Sequence, residues 1–138
     1  MKFLLIGIGG VYNYGCEAIV RGTEHILHTQ WPDAKVVYAS YRVADDRKRL
    51  TGCDVEIIER RYPRRWSPQN ITRKLLNMAG VAWYLPSDPV EICDGFDAVL
   101  SIGGDIYTIR TPKDAGPRGL MRFGDECEKR GVSYVLWG

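Results

Sequence analysis

One feature constrains this chain more than any other: short β-rich apolar runs alternate with stretches of helical spacing from the first residue to the last. Lys2–Ile8 is a near-continuous apolar run closed by glycines, the pattern of a strand buried on both faces. Glu17–Gln30 places Ala18, Gly22 and Ile26 at fourfold spacing with Ile19 and Leu27 beside them, and Arg21, Glu24 and His28 elsewhere. That spacing predicts a helix packing through the Ala18/Gly22/Ile26 stripe. Lys35–Ser40 and Asp54–Ile58 read as strands flanking a short charged stretch, Asp45–Leu50, that is a helix at most. Arg60–Trp66 is basic and broken by proline, hence a loop. Pro68–Leu85 reads as a helix with Ile71, Leu75, Leu76 and Ala79 as its apolar positions. Asp97–Ile102 is a buried strand, and a loop runs on to Pro117. A helix, Arg118–Arg130, then stops at Gly131, and Val132–Trp137 is a last strand.

Strands alternating with helices imply a parallel sheet with right-handed crossovers. The expected fold is therefore α/β, a Rossmann-like three-layer α/β/α domain spanning residues 1–138. Its 138 residues, 45% of them hydrophobic, suffice for one core. In such a sheet the Asp97–Ile102 strand should lie beside the first, across the point where strand order reverses. A net charge of +2 is no nucleic-acid footprint. The first apolar run is too short to span a bilayer and lacks a cleavage site. Cys16, Cys53, Cys93 and Cys127 are scattered without a C-x-x-C pair, which points to reduced thiols in a cytoplasmic protein. A chain stopping on a strand with no polar tail is expected to be part of a longer protein.

Two glycine turns carry the candidate chemistry. After the first strand comes Gly7-Ile8-Gly9-Gly10-Val11-Tyr12-Asn13-Tyr14-Gly15-Cys16-Glu17. Glycines permit close approach of a ligand to backbone, and the following helix offers free N–H groups to an anion or sugar phosphate. The same residues also suit a plain tight turn with Asn13 as N-cap and Glu17 against the helix dipole. The spacing is not the dinucleotide fingerprint, and the second strand ends Ala39-Ser40-Tyr41-Arg42, without an acid for a ribose hydroxyl. Only Arg42, toward a 2′-phosphate, speaks for an NADP-dependent oxidoreductase. The second turn is Ser101-Ile102-Gly103-Gly104-Asp105, where Asp105 either meets a ligand or caps its own turn. Cys16 at a helix start is chemically permissive for a nucleophile but has no histidine near it. His25 and His28 could share a metal only with further ligands, so a solvated helix face is expected and no metal.

Asn13-Tyr14-Gly15-Cys16-Glu17-Ala18-Ile19 resembles the N-x-G-D-E-A-[IL] segment of polysaccharide pyruvyl transferases. Asp97–Asp105 resembles their Asp-led strand ending in a glycine pair, and Gly131–Gly138 resembles their next strand. The three occur in the family's order and approximate spacing across almost the whole chain; Cys16 stands where many members have Asp. The resemblance implies the N-terminal half of a GT-B-like enzyme that transfers a pyruvyl group from phosphoenolpyruvate to a sugar hydroxyl of a surface polysaccharide or its lipid-linked precursor. Gly9, Gly10, Asn13, Gly15 and Glu17 would line a cleft from one side, and Gly103, Gly104 and Asp105 from the other. No cofactor is expected. The phosphoenolpyruvate-binding basic residues and catalytic histidine would belong to a C-terminal domain absent from this chain, leaving the catalytic residues unassigned.

From Arg60 to Lys74 there are six basic residues and no acidic one, with Tyr62, Trp66, Trp83 and Tyr84 within or just after the run. Such a run is read as a solvated face or as a peripheral contact with an anionic membrane. No nucleic-acid module accompanies it. The competing functions are a stand-alone nucleotide-binding Rossmann domain and a non-catalytic interaction domain.

Overall fold

The computed structural model describes residues 1–60, 67–81, 92–103 and 116–138. Five strands, β1 (Lys2–Ile6), β2 (Lys35–Ser40), β3 (Glu56–Glu59), β4 (Ala98–Ile102) and β5 (Ser133–Trp137), form one parallel sheet in the order β3-β2-β1-β4-β5. Helices α1 (Tyr14–Gln30), α2 (Val43–Arg49), α3 (Pro68–Met78) and α4 (Gly116–Lys129) fall between them. The domain is α/β and Rossmann-like. β1 is the hinge of the topology. β2 and β3 build outward on one side of it, and β4 returns to its other side with Phe3 in register with Ala98 and Ile6 with Ser101.

Side-chain alternation divides β1 between two cores. Phe3 and Leu5 join Val20 and Leu27 of α1, Tyr38, Leu50 and Leu100 on one face. Leu4 and Ile6 join Val37, Val99, and Phe123 and Cys127 of α4 on the other. Three layers result, and β1 is buried on both faces as its unbroken apolar run predicts.

α1 packs differently from the expected stripe. Its buried residues are Val20, Thr23 and Leu27, whereas Ala18 and Ile19 are exposed and Ile26 is 47% exposed. Two apolar stripes run along this helix. Thr23, polar by type, belongs to the packed one because its hydroxyl accepts from Trp137 Nε1 (3.1 Å). α1 also starts three residues earlier than expected, because Asn13 Oδ1 accepts the Cys16 N–H at 2.9 Å.

The charged stretch after β2 is a true helix. Asp45 and Asp46 occupy the first turn of α2 and Arg47, Lys48 and Arg49 the last, the polarity that the helix dipole favours. α3 ends at Met78, where Gly80 (φ +80°) lets the Val81 N–H reach Leu76 O; residues 82–85 of the expected helix lie outside the described residues. Its expected core positions are not core. Ile71, Leu75 and Ala79 are exposed, and Leu76 alone among them is half-buried, because α3 lies against neither core cluster among the described residues. α4 stops at Gly131 (φ +70°) with Val132 N–H on Cys127 O and Gly131 N–H on Glu128 O, as its sequence predicts. Arg61, Tyr62, Arg64, Arg65, Trp66, Trp83 and Tyr84 lie outside the described residues.

Candidate functional site

The glycine turn leaves β1 at Gly7 (φ +109°), a conformation that side chains rarely adopt. Gly103 leaves β4 at φ +115°, and a Cβ built on it would sit 3.4 Å from Ile8 Cγ1. The two turns therefore meet at the carboxyl ends of neighbouring parallel strands, at the reversal of strand order where open α/β sheets bind ligands. Gly104 and Asp105 lie outside the described residues. Ser101, in register with Ile6, is buried, and its hydroxyl has no hydrogen-bond partner among the described residues.

The first turn is tied down from the β2 side. Tyr38 Oη donates to Ile8 O (2.9 Å), and burial first, then Asp46, pushes that phenol's pKa up, so it stays a donor. Tyr41 N–H donates to Gly9 O (3.1 Å). Asp46, 1% exposed, anchors the rest. Its Oδ1 accepts the Val11 N–H at 2.9 Å and its Oδ2 the Ser40 hydroxyl at 2.5 Å, while Ser40 Oγ accepts the Arg42 N–H at 2.8 Å. This buried acid holds the turn, the end of β2 and the start of α2 in one network.

The chain's own tyrosines explain two of the glycines. A Cβ on Gly9 would lie 3.0 Å from the Tyr41 ring, and one on Gly10 would lie 2.9 Å from Tyr12 Cζ. Arg60 lies over the Tyr41 ring (5.0 Å) and Arg42 over Tyr12 (5.8 Å). Beside them a cavity of about 360 Å³ is lined by Val11, Tyr12, Arg42, Asp45, Asp46, Lys48 and Arg49. Its charges are mostly paired: Arg42 with Asp45 at 2.6 Å, and Arg49 with Glu17 at 3.8 Å.

The remaining expected site residues have local tasks. Asn13 spends its carboxamide oxygen on the α1 cap, leaving the amide nitrogen for a ligand. Gly15 gives that oxygen room, since a Cβ there would approach it to 3.2 Å. Glu17 faces α2 and takes Arg21 Nε at 2.9 Å. Cys16 packs half-buried against the α1 core. His25 is exposed, but His28 is not on a solvated face: its ring nitrogens meet Glu24 Oε1 (2.7 Å) and Ala34 O (2.9 Å). Among the described residues no cluster of His, Cys, Asp and Glu could hold a metal ion.

Asp46, Tyr12 and Tyr41 are the residues sequence reasoning missed. Asp46 is half of an acidic pair that follows β2 after four intervening residues, and nothing in the sequence separates it from any other charge. Compared with known proteins, the chain matches no family model and no curated sequence.

Proposed function

We propose that this chain is the N-terminal domain of an enzyme resembling polysaccharide pyruvyl transferases, holding a sugar at the rim between β1 and β4. The observation that supports this most is the meeting of the Gly7–Gly10 turn with Gly103 against Ile8, at the reversal of strand order. The sharp glycine exits at Gly7 and Gly103 and the Asn13 amide nitrogen suit a neutral polyol, and the paired charges of the neighbouring cavity suit one too. In this reading phosphoenolpyruvate and the acid/base group are handled by a partner domain, whose positive charge would stabilise the transferring group.

Titration of the ¹⁵N-labelled chain tests this. A pyranoside is expected to shift the Gly9, Gly10 and Gly103 amides, with NADPH leaving them unmoved. Shifts with NADPH alone would transfer the site to a nucleotide-binding reading, and no shifts with either would leave an interaction domain.

The same reading includes contact with an anionic membrane that presents a lipid-linked sugar. No helix among the described residues is long and apolar enough to cross a bilayer. Support for surface contact comes from α3, which carries Arg73 and Lys74 and no acid, and exposes Ile71, Leu75 (62%) and Met78 (85%) on one side. Vesicles containing phosphatidylglycerol should co-sediment the chain and pure phosphatidylcholine vesicles should not. Leu75→Glu with Met78→Glu should abolish binding; equal sedimentation of the double variant would remove the contact from the proposal.

A further inference from the structure

Cys93 and Cys127 approach each other inside the core from two different turns. Both are wholly buried in the cluster on the α4 face of the sheet. Their side chains are in contact within that cluster. Cys93 lies in the turn before β4, and its carbonyl accepts the Phe96 N–H. Cys127 lies at the end of α4, and its carbonyl accepts the N–H groups of Arg130 and Val132. Outside the thiols, Arg130 Nη1 reaches both carboxylate oxygens of Asp94 at 2.7 Å. An ion pair at the surface and a thiol pair beneath it thus clamp the same two turns.

We propose that Cys93 and Cys127 form a dithiol that a small disulfide such as glutathione disulfide converts to an internal disulfide, locking the turn before β4 to the end of α4. The Cys93 sulfur attacks one sulfur of glutathione disulfide and expels the first glutathione thiolate. Cys127 then loses its proton and attacks the Cys93 sulfur of the mixed disulfide, expelling the second glutathione. Two protein thiols are oxidised, one glutathione disulfide is reduced, and the two protons end on two glutathiones. The balance is the same whichever of the two sulfurs attacks first. Burial raises both thiols, Cys127 to about 12, while Arg130 works in the opposite direction on each. Exchange therefore waits for the Asp94–Arg130 clamp to open, which makes the rate a measure of local opening.

The intact chain incubated with excess glutathione disulfide at mildly alkaline pH is expected to lose the mass of two hydrogens. Proteolysis should join the Cys93 and Cys127 peptides, and the melting temperature should rise until dithiothreitol reverses it. Arg130→Gln should speed bridging by about two- to five-fold, the range an exposed ion pair commands. Two results would overturn the proposal: glutathione adducts persisting on Cys93 or Cys127 without a bridge, or modification confined to Cys16 and Cys53 while the buried pair stays reduced. Either is read on the unaltered protein, so no core substitution has to fold.

Discussion

Replacing Asp46 with alanine removes the acceptor for the Val11 N–H and for the Ser40 hydroxyl at once. Leaving two buried donors unpaired should cost about 2–4 kcal/mol in urea unfolding. Asp46→Asn retains one acceptor and should cost less, so a loss equal to that of alanine would contradict the hydrogen-bond account. The glycines separate by what stands over them. At Gly10 the crowding atom belongs to Tyr12, a ring 54% exposed that can swing into solvent, so Gly10→Ala should be nearly neutral. At Gly103 the backbone itself is at fault, since φ +115° strains any side chain. Gly103→Ala should cost about 1–3 kcal/mol and reshape the crevice. The same unfolding measurements rank the two.

Helix α1 shows where periodicity stops being informative. Ala18, Gly22 and Ile26 repeat as regularly as Cys16, Val20, Thr23 and Leu27, and the chain buries Val20, Thr23 and Leu27 and half-buries Cys16, so the packed set includes a threonine. Nothing in a list of apolar positions ranks two stripes; the choice is made by the Trp137–Thr23 hydrogen bond and by the fit of Leu27 into the sheet. Leu27→Ala should therefore cost about 2–5 kcal/mol, and Ile26→Ala well under that. α1 also ends on a titratable anchor. Both ring nitrogens of His28 face acceptors, Ala34 O most strongly and then Glu24, so the folded chain favours the cation and raises its pKa above 6.5. That stabilisation is complete below pH 6.5 and fades as pH rises through the folded value. The gap in melting temperature between the native chain and His28→Gln should accordingly narrow from mildly acidic to alkaline pH. The two sheet edges differ as well: β3 carries Glu56 and Glu59, whereas β5 reads Ser-Tyr-Val-Leu-Trp with Leu136 63% exposed. Uncharged edges invite pairing, so Leu136→Lys should reduce self-association in light scattering without lowering stability.

At the scale of the molecule, the alternation of strands and helices carried most of the fold. β1 and β4 are recognisable as strands buried on two faces, and their adjacency follows from parallel topology rather than from any residue between them. The rim was half legible. Glycines announce sharp exits from β1 and β4, and Asn13 announces a cap, because these are local backbone demands. The reason for Gly9 and Gly10 was not legible. It depends on Tyr41, which belongs to another strand, and on the direction in which the Tyr12 ring folds back. Asp46 was illegible too, since a buried acid looks like any other charge until the Ser40 and Val11 that use it are brought beside it.

The crevice also has a consequence for how the chain reaches its native state. Its two walls are joined only when Phe3 pairs with Ala98, a contact of long loop closure, whereas β1 and β2 meet across α1 alone. Contacts closing long loops form late. A compound lodged between those walls would thus recognise only chains that have finished folding, and would raise the stability of the complete sheet in proportion to its affinity.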